Sequence, residues 1–396
     1  MHLNFHCSTY VQFLCFINQI KNVHGHITFL KKKLNLKNFS NINMTNQTKT
    51  QNSPERETEQ TKQSRHLSIP FQILKELHTP LDQVQCVIHK HEILICGEDN
   101  NKHSNEITLL SFGSSLFGKK HTLVMKYVSV WSDISNKSNE LNNYNEWVPF
   151  TDNYNCPIVI GRDDDDYFGV RAVIGGSNNH LLFITYYEDN ISVFDLNTFR
   201  FIKYDTLPID SQILFHCFVS NSENEQGQEM MKTNKQNCQM LLFCNKTGLS
   251  IEYDEDKNKF QFYKLHVCRN IASLYKYAYV CINDIILFFG GWNSAVLGTF
   301  ISKSVHKYSI REDKWTTFQN TLPSPLYNCA AILSKEDNHI HIIGGADNTK
   351  TAVSTHMKTK VRVWDSSLLV MICIFILMKH NQTLKQNLLL NIGLEH

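Results

Sequence analysis

A chain of 396 residues is long enough for one large repeat domain with a tail, and 42% hydrophobic with 11% aromatic residues suits an aromatic-packed β core. The formal net charge of +2 gives no basis for non-specific nucleic-acid binding. Twelve cysteines include no Cys-x-x-Cys pair, and Cys86, Cys96, Cys217, Cys244, Cys281 and Cys329 fall in apolar runs; they read as free thiols in a reducing, cytoplasmic compartment, not as disulfides or metal ligands.

Residues 1–65 differ in character from the rest and read as a disordered or unassigned N-terminal segment. The apolar stretch Tyr10–Ile17 has neither a basic leader nor a small-residue cleavage site, so a secretory signal is not expected. Residues 41–66 are almost wholly Asn, Gln, Thr, Lys and Glu, too polar to form a packed core, and Met44 within them is a second candidate initiator. From 66 to 366 the chain is a succession of short β-rich runs. The clearest stretch holds four of them, 277–282, 285–289, 304–310 and 314–319, divided by the turn signals Asn283-Asp284 and Arg311-Glu312-Asp313; this predicts a four-stranded antiparallel meander.

One meander cannot bury both of its faces, so it needs copies stacked beside it. An aromatic residue at the end of a β run supplies the marker: Trp131, Phe194, Tyr253, Tyr308 and Trp364, spaced by 63, 59, 55 and 56 residues. Seven positions after three of them stands a second aromatic: Phe201, Phe260 and Trp315. In the first unit the expected partner of Trp131 is Trp147, beyond a polar insert. Apolar runs at 107–113, 181–185, 240–244, 285–291 and 339–345 precede the markers. Four runs per unit at this period is a propeller-blade pattern.

An apolar run ending in Gly290-Gly291, followed by Tyr308 and Trp315, resembles in full the repeat of the kelch family. Gly344-Gly345 matches with Trp364 in the Tyr position, and Gly97 and Gly113 are half-matches. The middle units carry Thr185-Tyr186 and Asn245-Lys246 where glycines belong, and Gly175-Gly176 falls one strand early. The resemblance covers about residues 67–365. It implies an all-β, kelch-type β-propeller with the propeller fold seen in galactose oxidase. It also implies a non-catalytic protein–protein interaction module, a scaffold or adaptor. The repeat residues themselves then have packing roles: glycine lets the backbone approach closely, and paired aromatics fill the wedge between blades.

Two irregularities stand out. Gly97 and Gly113 both end apolar runs but lie 16 residues apart, whereas Gly290 and Gly344 lie 54 apart; about 38 residues are missing by that comparison. The ring is therefore expected to be six-bladed by ancestry with about one blade incomplete. The last unit also stops at 361–365 (VRVWD), and 69–76 is expected to supply its outer strand and close the ring. The apolar run 367–378 is shorter than the ~20 residues a bilayer span needs, so membrane association is not expected; with the polar tail, 367–396 is unassigned.

No motif names a reaction: there is no Walker loop, Gly-x-Ser-x-Gly or His-Glu-x-x-His. Asp163–Asp166 read as a solvated acidic loop, and His339 and His341, on one face of a strand, as structural histidines. The expectation is therefore no catalytic residue, no metal, no cofactor and a protein partner whose specificity lies in the long loops 132–146 and 221–237. Two alternatives stay open: an enzyme with an axial site of the copper-oxidase kind, which needs Tyr, His and Cys converging on the ring axis, or a truncated copy without function.

Overall fold

The structure is a computed structural model, described for residues 13–17, 70–83, 85–89, 92–96, 107–114, 120–127, 146–152, 154–220, 237–295 and 298–365. The chain begins with β1 (Phe13–Ile17), β2 (Phe71–Ile73) and the hairpin β3–β4 (Gln85–His89, Glu92–Cys96). Five antiparallel groups follow. The first is β5 (Ile107–Ser114), β6 (Lys120–Tyr127) and β7 (Val148–Pro149). The second is β8 (Arg171–Gly175), β9 (Leu181–Tyr186), β10 (Asn190–Asp195) and β11 (Arg200–Thr206). The third is β12 (Cys217–Ser220), β13 (Asn237–Cys244), β14 (Thr247–Asp254) and β15 (Lys259–Lys264). The fourth is β16 (Ala278–Ile282), β17 (Ile285–Phe289), β20 (Val305–Ser309) and β21 (Lys314–Thr317), with a small hairpin, β18 (Trp292–Ala295) and β19 (Gly298–Ile301), inserted in its middle. The last is β22 (Ala330–Ser334), β23 (His339–Ile343) and β24 (His356–Lys360).

The two three-stranded groups are completed from the N-terminal region. β1 pairs with β5, and β2 pairs with β24 with Phe71 opposite Thr359. The result is five four-stranded sheets in a β-propeller arrangement, with β3–β4 as a separate two-stranded sheet. The first strands of the sheets lie side by side around an axis: β22 beside β3, β3 beside β1, β1 beside β8, β8 beside β12 and β16 beside β22. Between β12 and β16 the contact is made by Cys217, Val219, Tyr279 and Cys281 in one apolar cluster.

Side-chain order explains the stacking. Phe194 faces Phe201, Tyr253 faces Phe260 and Tyr308 faces Trp315 across adjacent strands, with ring centroids 5.1, 4.9 and 5.1 Å apart. The last two of these pairs are each met by a Phe from the sheet before. Phe183 lies 5.2 Å from Tyr253, and Phe243 lies 4.7 Å from Tyr308. Phe289 lies 6.0 Å from Trp364 in the last sheet. Edge-on aromatic contacts of this kind add about 0.5–1.5 kcal/mol each beyond the area they bury.

The double glycines sit where backbone meets backbone. Gly290 has φ +67° and Gly291 +113°, and a Cβ at Gly290 would collide with the carbonyl oxygen of Leu326. Gly344 and Gly345 repeat this at φ +63° and +102°; a Cβ at Gly345 would lie 2.7 Å from the Tyr327 carbonyl oxygen. Gly290→Ala is expected to lower stability by at least about 2 kcal/mol, combining a left-handed backbone with a backbone collision, read as a lower urea midpoint. A wild-type midpoint would mean that the Leu326 carbonyl can simply move aside.

Three expectations need correction. The third strand of the last sheet is β24, upstream of the VRVW run. It pairs with β23 until Lys360 faces His339, where β23 begins, so Val361–Val363 turns away as a 3-10 helix before Trp364. Trp364 still packs inward, 5.5 Å from Phe71, and its Nε1 donates to Thr359 Oγ1 at 3.0 Å. In the first sheet β6 starts at Lys120 and pairs with all eight residues of β5, and Val148 faces Val124. Trp147 directly precedes β7; its expected partner Trp131 lies outside the described residues, as does Gly97. Gly113 is inside β5 facing His121, not at its end. Finally, residues 1–65 are not wholly apart from the fold, because Phe13–Ile17 forms the first strand of a sheet. The closing strand falls where the sequence puts it, at 71–73. Most of both long loops and all of 366–396 lie outside the described residues. Among those described, no helix is long and apolar enough to cross a membrane.

Candidate functional site

The first strands share a device upstream of them. Two residues before β3, β8, β12, β16 and β22 stand Gln83, Gly169, Phe215, Lys276 and Asn328, with φ of +54°, +72°, +50°, +56° and +55°. A left-handed residue bends the incoming chain sharply into the strand. Backbone hydrogen bonds link neighbouring bends: Phe215 N–H donates to the Gly169 carbonyl at 3.2 Å, and Asn328 N–H to the Lys276 carbonyl at 2.8 Å. Gln83, Phe215, Lys276 and Asn328 thus line one cavity of about 200 Å³ at the mouth of the axis, together with Arg171 and Tyr279.

The cavity is rich in cations. Arg171 is only 9% exposed. Its Nη1 donates to the Val170 carbonyl at 2.9 Å, it hydrogen-bonds Tyr279, and its Nε is buried with no partner. The Lys276 ammonium stands over the Phe215 ring at 4.6 Å and over Trp292 at 5.4 Å. Burial pulls its pKa down, opposed by Asp82. Asp82 is pushed up by burial, against its bonds to Asn328 and to the Gln83 N–H and the charge of Lys276. Above them Lys350 covers Trp292 at 5.2 Å, and Trp292 packs on Tyr327 at 4.7 Å.

Three other ionisable groups lining or adjoining this cavity, Cys329, Tyr277 and His216, are held in neutral forms. Burial pushes the Cys329 thiol up to about 12 and the Tyr277 phenol well above its usual range. His216, fully buried behind Arg171, is held neutral by burial and by that guanidinium, and it shares a 2.6 Å hydrogen bond with Thr185 Oγ1. The arrangement offers positive charge and aromatic walls for holding a ligand. Cys329 and Tyr277 are protonated there, and so are poor nucleophiles.

The residues singled out from sequence are elsewhere. The paired aromatics and double glycines lie between sheets, as described above. Within Asp163–Asp166, Asp165 is buried: its carboxylate accepts from Arg162 Nη2 at 2.9 Å and Arg162 N–H at 2.8 Å, and it holds the guanidinium charged. Only Asp163, Asp164 and Asp166 are exposed, which corrects the solvated-loop reading; a buried carboxylate survives by such pairing. His341 does not work with His339. Its Nδ1 lies 3.0 Å from His356 Nε2, while His339 Nδ1 lies 3.1 Å from an Asp337 carboxylate oxygen. Among the described residues no three His, Cys, Asp or Glu side chains are grouped to hold a metal. The mouth itself carries no sequence signal: its five left-handed positions hold five different residue types.

The sequence matches no protein-family model and no curated protein. Among solved structures it is similar to one described as the structure of YjhT, at 12% identity over 74% of this chain and 98% of that one, with a TM-score of 0.47.

Proposed function

We propose that this chain is a kelch-type propeller, six-bladed by ancestry with one blade reduced to β3–β4, and that it serves as a non-catalytic protein–protein interaction module. The two-stranded sheet supports the ancestry, because β3 takes a first-strand place between β22 and β1 while the five other sheets that place a first strand around the axis have four strands each. The free thiols, with Cys217, Cys238, Cys244 and Cys329 buried, support a reducing compartment such as the cytoplasm. The observation that carries the function is the preformed mouth. Its cations stand over aromatic faces, and burial keeps Cys329, Tyr277 and His216 in neutral forms. A partner protein would dock on Trp292, Lys276 and Lys350, where aromatic and cationic groups offer the anchors that interfaces favour.

The test compares two full-length variants by affinity capture from the native cell. Trp292→Ala with Lys350→Glu alters the mouth. Ile202→Ser with Tyr263→Ser alters exposed outer-strand residues. The proposal expects specifically captured proteins to fall at least tenfold with the first and to remain with the second. The reverse pattern would move the interface to the outer edge and overturn the reading.

A further inference from the structure

Arg171 poses a problem of charge. A guanidinium buried to this degree is normally paired, since an unpaired buried charge is strongly unfavourable. Among the described residues no carboxylate reaches it. Its Nε has no acceptor, and the ionisable groups that feel its charge, His216, Tyr279 and Cys217, are held toward their neutral forms by burial. The second cation of the cavity adjoins the same aromatic ring. The Arg171 Cζ is 5.9 Å and the Lys276 Nζ 4.6 Å from the centroid of one ring, Phe215. Asp82 answers only one of these charges, by its coupling to Lys276.

We propose that the axial cavity is a carboxylate-binding subsite, in which Arg171 and Lys276 together seat a single carboxylate against Phe215 and Tyr279. Three features choose this class. Arg171 and Lys276 set against Asp82 leave one positive charge, which a monoanion neutralises and a phosphate dianion would overshoot. The Arg171 Nε is a hydrogen-bond donor awaiting an acceptor, and charge-assisted bonds to carboxylate oxygens are the strong kind. The aromatic walls accept the short apolar stem on which a carboxylate is carried, and about 200 Å³ accommodates such a group. An acidic side chain of a partner polypeptide and a small free acid both carry such a carboxylate; the chemistry at Arg171 is common to both.

The inference rests on the mouth being the binding face, but its readout needs no protein partner, so the two readings fail separately. The full chain is melted in chloride buffer at constant ionic strength with added acetate, butyrate, phosphate, or an acetylated and amidated Gly-Glu-Gly peptide. A saturable rise of roughly 5 °C at a hundredfold excess over Kd is expected with the carboxylates and not with phosphate. The peptide binding at least tenfold tighter than butyrate would assign the source to a polypeptide; equal affinities would assign it to a small acid. Arg171→Met is expected to melt at or above the wild type without carboxylate, because it removes an unpaired buried charge, and to lose the shift. A purely structural arginine would instead melt lower on that replacement. Lys276→Gln, at a half-buried position, is expected to fold and to bind about tenfold more weakly. A wild type that gains nothing from any carboxylate at 50 mM, a preference for phosphate, or a carboxylate shift that survives in both variants would overturn the proposal.

Discussion

Lowering the pH from 7 to about 4.5 is expected to unfold this propeller, with histidines rather than carboxylates as the main cause. Burial pulls His121, His306, His341 and His356 down to about 4, with the neighbouring His356 contributing to the shift of His341. Each is a neutral imidazole in the fold. His306 is 1%, His341 0% and His356 2% exposed. His306 bonds Thr317 Oγ1 at 3.0 Å and His121 bonds Ser111 Oγ at 3.1 Å. An unfolded imidazole binds a proton near pH 6.5. The contribution of these groups is therefore complete above pH 6.5 and is lost as pH falls from 6.5 toward 4. A shift of that size corresponds to about 3 kcal/mol per imidazole, and several together match the ~5–15 kcal/mol by which a whole domain is stable. Denaturant midpoints followed by tryptophan emission between pH 8 and 4.5 would show the decline, and the slope should correspond to an uptake of three or more protons. His306→Gln, which keeps an amide able to bond Thr317, should flatten the curve. A midpoint unchanged between pH 7 and 5 would refute the idea.

How much of this was legible beforehand depended on which forces left marks in composition. Strands that bury both faces must be apolar throughout, so Leu181–Thr185 and Ile285–Phe289 stood out. The Phe194–Phe201, Tyr253–Phe260 and Tyr308–Trp315 pairs stood out because a two-residue register across a tight turn repeats at fixed spacing. The misplaced strands were decided by partners distant in sequence. β24 stops where β23 starts, and β1 enters a sheet whose other strands lie some ninety or more residues away. No local pattern records either event. The mouth was hidden for a third reason. A left-handed bend can be met by Gly169, Asn328, Lys276, Gln83 or Phe215 when the flanking strands impose it, so the positions share geometry but no residue type. Arg171 looked like the ordinary polar start of a strand, and only the packing of β8 against β12 revealed it as a buried charge.

Removing β2 is expected to do more damage than any loop change, because it opens the ring. Phe71 is 7% exposed and packs between Trp364 at 5.5 Å and Phe289 at 6.3 Å, so it ties the last sheet to the one before. Downstream of it, Leu74 N–H donates to the His356 carbonyl and Leu77 N–H to the Ser354 carbonyl, both at 2.9 Å, while Thr359 Oγ1 donates to the Pro70 carbonyl. Phe71→Ala should cost about 3–5 kcal/mol, the usual range for emptying a buried aromatic site. Deleting residues 70–77 should cost more and also leave β24 as an open edge, a template for pairing with another chain. The deletion variant is thus expected to elute as oligomers in size-exclusion chromatography, whereas Phe71→Ala remains monomeric with a lowered urea midpoint. If the deletion variant were monomeric and as stable as the wild type, β2 would be an ornament and the ring would close without it. The two large effects are also coupled. β2 and the residues after it cover His356, whose carbonyl accepts from Leu74 and whose imidazole contacts the Lys75 backbone. Loosening that cover wets the His341–His356 pair, raises both imidazoles toward 6.5 and weakens their pH dependence. The loss from Phe71→Ala should therefore be largest at pH 7.5 and shrink toward pH 5, because groups in contact do not contribute additively. A loss independent of pH would show that the closing strand and the histidine pair act separately.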